Sequence, residues 1–233
     1  MQANKSKDSL GQVKISEDFY YLMQSIIDQF ITGMRSTTLL EYIAVFTGIT
    51  SVWFSKKENI LVYPVGLVNT IIYIYLSVKQ HLYGEASVNL YYTIMSIYGW
   101  MIWARRNDQK ESIVHISFST KKQWIEQIIF FGVIYAVIYS ALNYLKQNFY
   151  PGAIPWADAF ASATAFTGMW LMTRKKVESW IWWIATDFAS IPLYFVKQYV
   201  FTSVYYLVLL LLAFYGLKEW KQKATARAQL PQH

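Results

Sequence analysis

Seven apolar runs, each close to the roughly 20 residues that carry a helix across a hydrocarbon core, dominate this sequence. Their approximate limits are Thr38–Ser55, Asn59–Lys79, Tyr83–Arg105, Lys122–Lys146, Trp156–Thr173, Ser179–Lys197 and Val200–Trp220. In lipid every backbone polar group must be satisfied internally, so runs of this length and apolarity predict helices. The expected fold is therefore an all-α integral membrane protein with seven transmembrane helices. Aromatic content agrees: 19 Tyr, 14 Phe and 10 Trp in 233 residues exceed what a soluble domain uses and suit interfacial belts. There is no Cys, so no disulfide, thiolate metal site or cysteine nucleophile is available.

Charge supplies the orientation. Lys56 and Lys57 follow the first run, Arg105, Arg106, Lys110, Lys121 and Lys122 the third, Arg174, Lys175 and Lys176 the fifth, and Lys218, Lys221, Lys223 and Arg227 the seventh. The intervening loops are poorer in cations, with Lys79, Lys146 and Lys197 at their edges. This alternation predicts an outside N-terminus and a cytoplasmic C-terminus. The net charge of +7 thus reads as positive-inside patterning, and no nucleic-acid partner is expected. The start, MQANKSKDSLGQ, lacks an apolar core, so no cleaved signal peptide is expected. Residues 1–15 are polar and expected to be loosely ordered. Asp18 to Met34 carry one apolar stripe, Phe19, Leu22, Met23, Ile26, Ile27, Phe30, Ile31 and Met34, and predict an amphipathic helix in the interface plane.

The sequence also repeats weakly on itself. Trp53 with Lys56–Lys57 resembles Trp170 with Arg174–Lys176, and Tyr98-Gly99 with Trp103 resembles Tyr215-Gly216 with Trp220, both at a shift of 117 residues. A shift of 118 sets Asn69 opposite Asp187. The expected organisation is three plus one plus three helices with parallel three-helix repeats. The segments are then 1–37 (polar start and amphipathic helix), 38–105 (first repeat), 106–155 (linker loop and helix), 156–220 (second repeat) and 221–233 (cytoplasmic tail). Parallel repeats place a solute site at their interface near the midplane.

Polar residues inside the runs locate that site. Trp180, Trp183, Asp187, Ser190 and Tyr194 share one helix face. Asp187 falls roughly 10–14 Å along its helix at 1.5 Å per residue. An ionisable group at that depth costs at least about 2.5–3.5 kcal/mol and marks a functional site by default. Asn69 and Tyr73 share a face in the second run. Asn89, Tyr92, Ser96, Gly99 and Trp103 repeat the Trp180 spacing in the third. Around Asn69, Asn89 and Asp187, the rings of Trp53, Tyr73, Tyr92, Trp180, Trp182, Trp183 and Tyr194 make a cage for a flat ring bearing hydroxyl groups, and aromatic faces add cation–π attraction if the ring is cationic. Trp182 and Trp183 lie about 100° apart on the helix, so either can point inward. The competing reading makes Asn69, Asn89 and Asp187 hydrogen-bonding glue between helices. It treats the tryptophans, above all Trp100, Trp103 and Trp220, as interfacial anchors. Glu41 and Asp158 sit at run ends and are expected to be solvated. His81, His115 and His233 lie in loops or the tail without metal-ligand spacing, so neither catalysis nor a metal is expected, nor any cofactor.

The motif Leu171-Met172-Thr173-Arg174-Lys175 with Glu178 and Trp180-x-x-Trp183, the ending Ile97-Tyr98-Gly99-Trp100 with Trp103, and Asn69 in GLVN resemble the PnuC family of bacterial vitamin transporters. The resemblance runs from about Leu39 to Trp220. Asp187 and Ser96 stand where many relatives carry Asn, which leaves details of ligand selection open. The resemblance implies an architecture similar to a full-length SWEET transporter and a homotrimer in the bacterial cytoplasmic membrane. It also implies facilitated import of nicotinamide riboside, with phosphorylation by a cytosolic kinase preventing return. Thiamine or riboflavin is the alternative cargo, and a membrane-embedded enzyme or accessory subunit the alternative class.

Overall fold

The structure, a computed structural model, describes residues 2–79, 83–107, 109, 112–148 and 154–229. Eight helices account for most of these residues: α1 (Gln2–Ser36), α2 (Leu39–Lys56), α3 (Val62–Lys79), α4 (Tyr83–Ala104), α5 (Lys121–Asn148), α6 (Pro155–Thr173), α7 (Ser179–Val196) and α8 (Val200–Ala228). Helices α2 to α8 follow the seven apolar runs. His81 and His233 lie outside the described residues.

Local signals set the boundaries. Thr38 and Glu41 form a capping box at the start of α2: the Thr38 amide donates to the Glu41 carboxylate at 2.6 Å, and the Glu41 amide to the Thr38 hydroxyl at 3.3 Å. Thr120 and Gln123 make the equivalent reciprocal pair before α5. Pro155 opens α6, where its missing N–H costs nothing. Glu41 is thus a cap, and Asp158 is an ion-pair partner (below), rather than simply solvated groups. Two elements are longer than expected. The α1 helix reaches back to Gln2, because Gln, Ala, Lys, Leu and Glu in its first half favour helix. The α8 helix runs past Trp220 to Ala228 through a polar stretch of the same kind.

Helices α3, α5 and α8 are each long and apolar enough to cross a membrane. The Phe19–Ser36 part of α1 and α2 pass that test together but bend by 107° at the break between them. Helices α4, α6 and α7 carry more polar, small or tryptophan side chains and fall below the same apolarity. Sequential packing joins α2 to α3 to α4, and α6 to α7 to α8. The two triplets meet where α2 lies on α8 and α4 on α6, while α5 lies against α6. Helix α1 crosses to α8, with the Phe30 and Phe201 rings 5.7 Å apart and Gly33 close under Phe201.

The buried core concentrates at one end, among Val62, Tyr63, Trp103, Met172, Trp180 and Trp220. Here the structure corrects the reading of Trp103 and Trp220 as interfacial anchors. Both are enclosed, Trp220 with 0% exposure, whereas Trp100 remains 40% exposed. Each triplet builds the same motif. Tyr63 meets Trp103 edge-on at 5.2 Å beside Gly99, and Trp180 meets Trp220 edge-on at 5.5 Å beside Gly216. A Cβ on Gly99 would stand 2.5 Å from the Tyr63 ring, and one on Gly216 2.6 Å from the Trp180 ring. Only glycine admits these rings so close to a neighbouring backbone, as small residues do throughout membrane helix packing.

Candidate functional site

On the other side of this core, the triplet interface carries a cluster of phenols around one acid. Asp187 is 3% exposed on α7. The phenols of Tyr92 on α4 and of Tyr205 and Tyr206 on α8 all lie in the field of its carboxyl group. Tyr73 on α3 is an electrostatic neighbour of both Tyr205 and Tyr206. The Tyr194 ring stacks on Tyr206 at 5.2 Å and 16°. Trp183 extends the cluster with its ring 6.3 Å from Tyr92, and Gly168 on α6 gives that indole room, since a Cβ there would sit 3.2 Å away.

Asn69 enters from α3. Its amide donates to the Ala44 carbonyl at 2.6 Å, which holds the side chain against α2. A Cβ on Gly48 of α2 would lie 2.6 Å from the Tyr205 hydroxyl and 2.8 Å from Asn69 Nδ2. Gly48, Asn69 and Tyr205 therefore converge from three helices. Gly48→Ala is expected to weaken ligand binding about tenfold, roughly 1.4 kcal/mol, because its Cβ pushes the Tyr205 hydroxyl and the Asn69 amide out of place. Calorimetry alongside thermal unfolding in detergent checks this; a large stability loss with unchanged affinity would remove Gly48 and its neighbours from the site.

Above the cluster, Lys197 at the end of α7 pairs with Asp158 in the first turn of α6 at 2.6 Å and lies 5.9 Å over the Tyr194 ring. Glu85 at the start of α4 is a neighbour of both charges. Asp158 also accepts the Ile154 amide at 3.1 Å, so this ion pair is anchored to backbone.

The structure separates the sequence candidates. Asn69, Tyr73, Tyr92, Trp183, Asp187 and Tyr194 come together, with Ser190 buried one turn beyond Asp187. Trp182 turns away: its indole donates to Gln127 of α5 at 3.0 Å and its ring lies 5.2 Å from Phe131. Trp180 belongs to the buried Trp220 motif. Trp53 is 44% exposed beside Phe54, and the Asn89 amide bonds back to the Glu85 carbonyl of its own helix at 2.9 Å. Tyr205 and Tyr206 were not legible as candidates, since they open a continuous apolar run. The 117-residue shift does carry Asn89 onto Tyr206, and that was their one signal. Among the described residues no group of His, Cys, Asp and Glu could hold a metal ion.

A helical membrane bundle with a polar, aromatic cluster between two triplets is the build of a solute transporter. The chain belongs to the nicotinamide mononucleotide transporter family, which it matches over residues 38–222. It is 22% identical over 230 residues to the nicotinamide riboside transporter PnuC of Escherichia coli, covering 89% of this chain and 96% of that one. It is 26% identical over 188 residues to PnuC of Neisseria mucosa, covering 78% and 70%. It is also 23% identical over 177 residues to the riboflavin/roseoflavin transporter RibM of Streptomyces davaonensis, covering 74% and 80%. The fold matches a crystal structure of the vitamin B3 transporter PnuC with a TM-score of 0.65 at 22% identity, over 89% of this chain and 91% of that one. The chain is accordingly a multi-pass membrane protein of a bacterial transporter family, not an enzyme.

Proposed function

We propose that the protein imports nicotinamide riboside across the bacterial cytoplasmic membrane by facilitated diffusion. The observation that carries this is the buried Asp187 carboxyl group, within electrostatic reach of the phenols of Tyr92, Tyr205 and Tyr206, with Trp183 beside Tyr92. A pyridinium ring is flat and cationic. It can stack on Trp183 or Tyr92 with about 0.5–2 kcal/mol of cation–π attraction and hold Asp187 in its charged form. Phenols and the Asn69 amide supply partners for ribose hydroxyls and the carboxamide. The family description names the mononucleotide, but the cluster suits the riboside better. Lys197, over the Tyr194 ring, is already paired with Asp158, so a phosphate would meet the Asp187 acid with no free cation beside it among the described residues.

The proposed architecture is α2–α4 and α6–α8 as parallel triplets, α5 as the linker that keeps them parallel, and α1 lying in the interface. Its 107° turn from α2 supports that placement. The N-terminus lies outside and the C-terminus in the cytoplasm, on the cation asymmetry of the loops. Rocking of one triplet against the other moves the solute, a cytosolic kinase traps it by adding a charge, and protomers assemble as trimers. A second reading, riboflavin as cargo, draws on the RibM relative. The deciding experiment is calorimetric titration of the purified protein with nicotinamide riboside, its mononucleotide, thiamine and riboflavin. Binding of the riboside without the mononucleotide is expected. Binding of riboflavin or thiamine alone would keep the architecture and overturn the substrate, and silence from all four would make the cluster structural.

A further inference from the structure

The cation-rich end of the bundle is closed by bonds that repeat across the two triplets. After α2, Glu58 takes a left-handed conformation with φ 60°, and after α6 Lys175 does the same with φ 51°. Neither is glycine, so both turns hold strained backbone. The two turns close with the same pair of backbone bonds. The Glu58 amide donates to Ser55 and the Asn59 amide to Phe54, as the Lys175 amide does to Met172 and the Lys176 amide to Leu171. Residues 117 apart then face each other. Lys175 Nζ meets Glu58 Oε1 at 2.8 Å, and the Ser55 hydroxyl donates to Met172 Sδ at 3.0 Å.

Two indoles complete the arrangement. Trp103 of α4 donates to the Thr173 carbonyl at 3.2 Å, across to the end of α6. Trp220 of α8 donates to the Ser55 and Lys56 carbonyls at 3.1 and 3.2 Å, across to the end of α2. The Lys175 ammonium also lies 4.6 Å from the Trp103 ring centre, and Lys223 lies 3.6 Å from the second Glu58 oxygen. The contrast with packing inside each triplet is informative. Within a triplet the rings are locked against glycine backbone. Between triplets the Trp103–Trp220 ring contact is joined by polar bonds, to helix-end carbonyls and through the ion pairs of Glu58 with Lys175 and Lys223 and of Lys57 with Glu219.

We propose that Glu58 and Lys175 form the latch of a gate at this end of the bundle. The pair, with the two tryptophan bonds beside it, holds the triplets together and must part for the site to open on that side. The inference rests on the transporter reading only for what passes through.

The chain has no cysteine of its own, so one can be placed beneath the latch as a reporter. Ser55→Cys is nearly isosteric and sits at a buried position. Its modification by a charged maleimide is followed in detergent, with no substrate present. Glu58→Lys, which faces Lys175 and Lys223 with a like charge, is expected to raise the modification rate at least about tenfold. Adding Lys175→Glu restores the pair and is expected to return the rate toward that of Ser55→Cys alone. A rate unchanged by Glu58→Lys, or one that stays high in the swapped pair, overturns the latch. A failure of the substrate assignment would show in calorimetry and leave this readout untouched.

Discussion

Replacing Asp187 with alanine is expected to weaken binding of nicotinamide riboside by about 10- to 100-fold. A hydrogen bond or contact to a charged group contributes about 1.5–3 kcal/mol, and each 1.4 kcal/mol is about a factor of ten in affinity. Asp187→Asn keeps the shape and one acceptor but loses the charge, so it should fall between alanine and the native acid. The same variants separate a binding role from helix glue. Removing a buried acid that serves only to join helices would lower the melting temperature and leave the affinity of folded protein intact. Removing one that faces a cationic ligand lowers affinity, with little cost to the unliganded bundle. Isothermal titration on the purified variants reads this directly. Unchanged riboside affinity in folded Asp187→Ala protein would take the residue out of the site.

Trp220→Ala should destabilise the bundle by about 3–5 kcal/mol, the range for truncating a fully enclosed aromatic side chain. The void would lie against Trp180, Trp103 and the end of α2, and the Ser55 and Lys56 carbonyls would lose their donor. Trp100→Ala, at a position 40% exposed on the same helix as Trp103, should cost far less. Unfolding titrations in detergent, run side by side, test the contrast. Equal losses at the two positions would mean that Trp220 is held by its surroundings no more tightly than a surface tryptophan.

These cases mark how far the sequence reading reached. Helix number, and the limits of α2 to α7, were legible because hydropathy accumulates along the chain, whereas α1 and α8 run on through polar stretches that hydropathy does not mark. Even where α4, α6 and α7 fall short of full apolarity, the runs bounded them within a few residues. The position of Asp187 and Asn69 along their helices was legible for the same reason, since rise per residue is fixed. The ring-on-glycine motif common to α4 and α8 was legible at Tyr98-Gly99 and Trp103 because that contact admits little variation. Its partners Tyr63 and Trp180 were obscured because a phenol stands where an indole does.

The sequence by itself determined the class of fold, the order and spacing of the helices, and the acid and amides that interrupt them. Only the tertiary structure decided which way each side chain points. Trp182 turns to Gln127 of α5 and Trp183 to Tyr92 of α4. Trp180, Trp103 and Trp220 pack the buried core, and Tyr205 and Tyr206 join the phenol cluster from an apolar run. The reason is physical. Depth follows from a one-dimensional rise along the helix, whereas azimuth gains meaning only when neighbouring helices choose which face to cover.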